Sequence, residues 1–205
     1  MAIPISELQS LTPSAKIELF IMELVEGTHY ATGNPTSVPT TFRFHAGTNM
    51  KTNSDIIWQG NTYEKFPITA DGFAFEGRGQ IPRPTLTMSN LGGISRSGQV
   101  ITVTDLISLV NLVTPHNDLI NSKITRLQVL ASSLDAANFP GNNNPFGTPN
   151  NNELPREVFF IDRKQAENRN TVQFELVSRL DQQNKNLPKR QVTRNEFPSV
   201  GSFIN

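Results

Sequence analysis

Residues 58–93 read WQGNTYEKFPITADGFAFEGRGQIPRPTLTMSNLGG, and this stretch decides the fold. Gly60 and Asn61 suit a two-residue primed turn, because Gly adopts positive φ at no steric cost and Asn tolerates it better than most residues. The turn makes a hairpin of residues 55–66 and sets Trp58 opposite Tyr63, an aromatic cross-strand pair of the kind worth ~0.2–1 kcal/mol. Gly72, Gly77 and Gly79 follow as a corner where the backbone must bend. From Pro84 to Ser89 the chain alternates, with Leu86 and Met88 on one face and Thr85, Thr87 and Ser89 on the other. One face is therefore expected in a core and the other in solvent or against a partner.

Outside this stretch the same grammar recurs. Residues 16–25, KIELFIMELV, fit both a helical and a strand period; alternation of Ile17, Leu19 and Ile21 and the turn-rich sequence beyond favour strand. Residues 6–11 allow a short helix, residues 27–40 spell an ordered irregular loop, and residues 41–45 and 123–130 read as strands. Thr104 can cap one helix over residues 104–113, whose Leu106, Leu109, Val110 and Val113 follow the i, i+3, i+4, i+7 rule, with Asp105 near its positive end and Pro115 beyond it. Residues 138–155, NFPGNNNPFGTPNNNELP, carry seven asparagines and four prolines and cannot build a core of their own. Residues 157–163 and 171–179 form a second hairpin around AENRN, its return strand burying Val172, Phe174 and Leu176. Strand after strand with a single helix predicts a mainly β protein, packed as an antiparallel barrel or sandwich.

Length and composition bound the rest. The 205 residues allow one large body or two small ones, and 18 basic residues balance 18 acidic ones, so whole-chain charge favours neither nucleic acid nor membrane as partner. Only 18% of residues are charged, which suits surfaces that pack against neighbours. The absence of cysteine excludes disulfides, thiolate metal sites and cysteine nucleophiles. The N-terminus lacks the residue order of a signal peptide, and no stretch approaches the ~18 apolar residues of a membrane span. The expectation is a chain made in a host cytoplasm, with no membrane anchor and no sequence-specific nucleic-acid contact.

No residue pattern calls for catalysis. The glycines at 72, 77 and 79 are not GxGxxG and lack the Lys-Ser or Lys-Thr of a phosphate cradle, so a bend in a strand is the better reading. His29, His45 and His116 lack metal-ligand spacing and read as loop or surface residues. Asp118, Asp135 and Asp162 stand isolated, and no serine sits in a nucleophile elbow. Trp58 could stack a sugar, although its hairpin position beside Tyr63 favours packing. Arg78 and Arg83 flank the glycine corner, either solvated or in contact with a neighbouring subunit.

The quoted string resembles the minor tail protein L family of lambda-like, long-tailed bacteriophages. The resemblance is carried by WQG-x-x-Y at 58–63, FPI at 66–68, GF-x-F-x-G-x-G at 72–79 and RPTLT-x-SNLGG at 83–93, in this order and at close spacing. It continues more loosely through the helix at 104–113, SKITRLQVL at 122–130, DAANFPG at 135–141 and FELVSRLD at 174–181. Membership implies an architectural part of the virion at the tail tip: an upper hub protein forming a homo-oligomeric ring between the distal tail tube and the central hub or fibre protein. The resemblance also implies hub-type β domains and no enzyme activity. The family's cysteine-bearing extension, which implies an iron-sulfur cluster, would follow LPKRQVTRN at 187–195; Glu196 and Phe197 stand where its first cysteine would be, so the expectation is the N-terminal body without that extension and with no cofactor. On this reading residues 1–183 form the tail-hub body, as one unit or two intertwined β subdomains, and residues 184–205 form a C-terminal assembly arm. Interface candidates are Arg78, Arg83, Phe197, Val200, Phe203 and Ile204. The alternative is a host-surface or carbohydrate-binding module built on Trp58, Tyr63 and the asparagine-rich loop.

Overall fold

The computed structural model describes residues 3–33, 40–47, 55–74, 77, 81–96, 99–182, 193–194 and 197–199. It is mainly β, as expected. The order is a one-turn helix α1 (Ile5–Leu8), then β1 (Lys16–Glu23), β2 (Thr41–His45), β3 (Ile56–Trp58), β4 (Asn61–Lys65), β5 (Ile68–Asp71), β6 (Thr85–Ser89), β7 (Ile94–Arg96) and β8 (Gln99–Ile101). Helix α2 (Val103–Val113), β9 (Lys123–Leu130), β10 (Glu157–Glu167) and β11 (Thr171–Val177) complete it, with 3-10 turns between β9 and β10. Among the described residues no helix is long and apolar enough to cross a membrane.

Nine strands share one sheet in the order β3-β4-β2-β1-β9-β10-β11-β6-β5, and β7 and β8 pair separately. All neighbours are antiparallel except β2 and β4. Only Phe66 and Pro67 separate β4 from β5, which lie towards opposite ends of that order. Phe66 N–H donates to His45 O on β2 at 2.9 Å, and Ser89 N–H on β6 donates to Pro67 O at 2.9 Å. The sheet therefore curls until its two ends meet at one dipeptide. Inside the curl lies the larger core, where Phe20, Met22, Phe44, Phe66, Leu86, Met88, Phe174 and Leu176 pack against α2. Phe20 and Phe44 stack at 5.9 Å.

A smaller core lies on the other face of β1 and β9, with Leu19, Leu127, Val129, Leu134 and Phe139 around Ile56, Trp58 and Tyr63. This explains the double period of residues 16–25: β1 buries Leu19 in one core and Phe20 and Met22 in the other, so a run of apolar residues replaces strict alternation. The strands at 41–45 and 123–130 stand where the sequence places them. Leu86 and Met88 are buried, and Thr85, Thr87 and Ser89 half-buried.

Four readings need correction. The hairpin turn is Gln59-Gly60, with φ of 50° and 71°, one residue earlier than Gly60-Asn61. Trp58 consequently pairs with Asn61 and Tyr63 with Ile56, and the two aromatics occupy diagonal positions that share the smaller core. Two backbone positions with positive φ define a type I′ turn, and Gly serves the second as well as the first. Helix α2 starts from Thr102, not Thr104: Thr102 Oγ1 accepts from Asp105 N–H at 3.2 Å while the Asp105 carboxylate accepts from Thr102 N–H at 3.0 Å. That reciprocal box rotates the buried face to Val103, Leu106, Ile107 and Val110 and leaves Val113 exposed. Strand β10 continues to Glu167, past the expected end at Arg163, because two register shifts break its alternation. Finally, β5, β7 and β8 were not expected.

Candidate functional site

The hairpin that carries Trp58 is held by the asparagine-rich loop and the residues before it. Asp135 accepts from the turn amides, Gln59 N–H at 3.1 Å and Gly60 N–H at 2.8 Å. Asn138, fully buried, treats Ile57 as a strand neighbour would: its Oδ1 accepts from Ile57 N–H at 2.7 Å and its Nδ2 donates to Ile57 O at 2.5 Å. The outer edge of β3 is thereby closed by a side chain in place of another strand. Asn144 Nδ2 donates to Ser132 O and Leu134 O, each at 3.0 Å, and Leu154 N–H donates to Gln128 O at 2.9 Å. Phe139 from the same loop fills the smaller core. The loop cannot make a core alone, as expected, yet it supplies a wall of one.

This arrangement decides the sugar-stacking reading. Trp58 and Tyr63 are each only 2% exposed, so neither ring offers a face to a glycan. Burial also pushes the Tyr63 hydroxyl up from its ordinary range.

Arg83 follows the glycine corner and enters a dense ion-pair group. Its guanidinium lies 3.1 Å from Glu175, 2.7 Å from Asp181 and 3.9 Å from Asp162. Glu175, buried on β11, also accepts from Gln165 at 2.9 Å and from Arg163 at 2.7 Å. The hydrogen bond from Gln165, with those from Arg163 and Arg83, holds the Glu175 carboxyl below its usual range against the effect of burial. The bonds from Glu175 and Asp181 raise Arg83 in turn. Arg83 is thus a fixed member of an in-chain cluster and not simply solvated. Gly72, with φ of +87°, lets β5 pass this point: a Cβ there would lie 3.4 Å from Pro84 Cα. At the other end of the motif, a Cβ on Gly93 would stand 2.9 Å from Ile101 O.

Of the remaining candidates, Phe197 is 48% exposed, whereas Arg78, Val200, Phe203 and Ile204 lie outside the described residues. His116 is exposed, but His29 and His45 are fully buried, contrary to the surface reading. His29 Nδ1 accepts from Val25 N–H at 2.7 Å and Nε2 lies 2.8 Å from Ile120 O, so the neutral ring ties two loops together. Burial depresses its pKa. Asp118 pairs with Lys164 at 3.1 Å and Asn111 at 2.9 Å. Among the described residues no group of three or more His, Asp or Glu is placed to hold a metal. Some of the side chains presented outwards are large and apolar: Ile5, Leu8 and Leu11 near α1, and Leu112, Phe146 and Leu180 elsewhere. At α1 the usual polarity is reversed, since Glu7 turns inwards to Ser14 Oγ and Ser132 Oγ, each at 2.5 Å.

A family model described as phage minor tail protein L matches residues 34–200. Among curated proteins, tail tip protein L of Escherichia phage lambda is 32% identical over 101 residues, 49% of this chain and 37% of that relative. The matched part thus spans little more than a third of the lambda protein.

Proposed function

The chain belongs to the phage minor tail protein L family, a family of phage-tail structural proteins, and from that premise we propose that it is an upper hub protein of the tail tip, forming a ring between the distal tail tube and the central hub or fibre protein. The observation that carries this reading is the linked motif at 58–93 together with what its described residues do: they build a hairpin, a bent closing strand and an in-chain ion cluster, with Trp58, Tyr63, Phe66 and Phe73 spent on packing. Such a segment makes a rigid wall. Ring formation needs rigid walls carrying repeated surfaces, because head-to-tail contacts close only when the same rotation recurs at every step. Exposed apolar side chains near α1, on α2 and at Phe146 supply surface that a neighbour would cover.

The body of residues 1–183 is the scaffold in this proposal and residues 184–205 the assembly arm, with Phe197 and the other tail candidates as its contacts and Arg78 and Arg83 as the body's own contacts with a neighbour. An arm that orders only on assembly limits premature association, since its ordering entropy must be offset by partner contacts. Averaged images of purified tails test the reading. The expected result is density for this chain repeated around the tail axis between tube and fibre, and a single off-axis copy overturns it. Deleting residues 184–205 should leave a folded body that assembles poorly.

The carbohydrate-binding reading has lost its platform with the burial of Trp58 and Tyr63.

A further inference from the structure

One histidine fastens two loops, and the geometry of its ring lets it do so only while uncharged. Residues 24–30 follow β1, and residues 114–122 carry the chain from α2 to β9. His29, fully buried, lies between them. Its Nδ1 accepts from Val25 N–H at 2.7 Å, and its Nε2 lies 2.8 Å from Ile120 O, which can only accept. The ring's single proton therefore sits on Nε2. A second proton would go to Nδ1 and point at Val25 N–H, donor against donor.

The loop that receives the ring is under backbone strain. His116, Asp118, Leu119 and Asn121 have φ of 60°, 50°, 68° and 74°. Asn, Asp and His tolerate this left-handed region better than other side chains, but Leu does not, and Leu119 is fixed there by complete burial in the larger core. Strain of this kind persists only where surrounding contacts hold it. Here they are the bond between His29 and Ile120 O, the pairing of Asp118 with Asn111 and Lys164, and Asn121 N–H donating to Ile161 O at 2.9 Å. Although burial works the other way, hydrogen bonds with Asn111 and Lys164 hold the Asp118 carboxyl below its usual range, so that pairing outlasts mild acid. The His29 tie is the one that mild acid reaches.

We propose that His29 is a proton-operated clasp: charging its ring unfastens residues 24–30 from residues 114–122 and lets the strained loop relax, while the sheet stays closed. Little around the ring would receive the charge. The groups it meets belong to the neutral residues Val25, Ile120 and Asn117. Of the ionisable groups on the packed segments, Glu26 accepts from Gly33 N–H at 3.1 Å, Asp118 is taken by Lys164, and His116 is exposed; α2 carries none after Asp105. Burial already disfavours the charged form, so a charged ring must leave for water. Thr114 Oγ1 donates to Thr28 O at 2.7 Å and does not titrate, so the released loop stays hinged to the end of α2. The ladders of β1, β9 and β11 are closed by backbone groups elsewhere and need nothing from the ring. The clasp rests on the body's own geometry, whatever its place in the tail.

Amide hydrogen exchange on the full chain, corrected for the intrinsic rate at each pH, tests this. The amides of Val25, His29, Ile120 and Ser122 should be at least ~10-fold less protected than those of Leu19, Leu127 and Phe174 in the central ladders, so that they report local opening. Between about pH 7.5 and about pH 5 their protection should fall by ~10-fold or more, because each unit below the ~6.5 of a free imidazole multiplies the open population ~10-fold. The imidazole nitrogen NMR signals of His29 should show Nδ1 unprotonated at the upper pH and should titrate together with that loss. His29→Gln should abolish the slope, whether its loops are tight or loose. His116→Asn, which removes the neighbouring loop's own imidazole and tolerates positive φ, should keep it. The proposal is overturned if the four amides open only with the ladders, or if their protection does not depend on pH. It is equally overturned if the slope survives His29→Gln, if it is lost in His116→Asn, or if His29 takes its proton with the loops still closed.

Discussion

The two cores of this protein are closed by different means. The larger one is enclosed by strands whose alternating residues, Leu86 with Met88 and Val172 with Phe174, turn inwards by the geometry of the sheet itself. The smaller one has a sheet on one side and a loop on the other, and its lid is pinned by polar side chains, Asp135 on the turn amides and Asn138 on both backbone groups of Ile57. Apolar area drives both, but the specificity of the second depends on a few hydrogen bonds that must be satisfied because they are out of water. A sheet can thus be extended by a loop when side chains imitate the missing strand. The smaller core should therefore be the easier to open.

The largest test of that contrast is Trp58→Ala, expected to cost ~3–5 kcal/mol in urea unfolding because the ring is fully packed. A stable Trp58→Ala protein that lost only glycan or cell binding would restore the surface reading of this residue. Next, Asn138→Ala should cost ~1–3 kcal/mol by stranding Ile57 N–H and C=O, and native-state exchange should show the loss in β3 and β4 while β9 to β11 stay protected. Equal loss across both cores would mean that they open as one unit. Thr102→Ala, which removes one half of the reciprocal cap on α2, should cost about 1 kcal/mol and act on the larger core alone.

The smallest effect is in acid. His29 has a depressed pKa in the folded chain, so the unfolded chain binds its proton first; stability is fully present above about pH 6.5 and falls as pH drops below it. Glu175 is also depressed, so its contribution is present above about pH 4.3 and lost below that. His29→Gln should flatten the first limb and Glu175→Gln the second, each read from Tm against pH. A profile unchanged by both substitutions would show that neither group titrates with folding.

What the sequence made legible follows the same division. The alternation of β6 is visible because one of its faces is wetter than the other, and the turn-rich intervals between strands are marked by Gly, Pro and Asn. β1 is harder to read because two cores share it. Nothing in Asn138 announces that it will close a sheet edge 81 positions away, since side chain to backbone bonds leave no period in the sequence. His29 shows the same difficulty: a histidine in a turn reads as exposed, whereas one ring nitrogen takes Val25 N–H and the other meets Ile120 O, 91 positions away. For the candidate surfaces, Arg83 was recognisable as special by its place beside the glycine corner, but its acidic partners lie 92 and 98 residues later.

The central claim is that this β body is a part of the phage tail tip, and antibody labelling of mature particles addresses it most directly. Label should mark the end of the tail distal to the capsid on intact virions. Label on the capsid, or none on mature particles despite detection of the chain in infected cells, would contradict it.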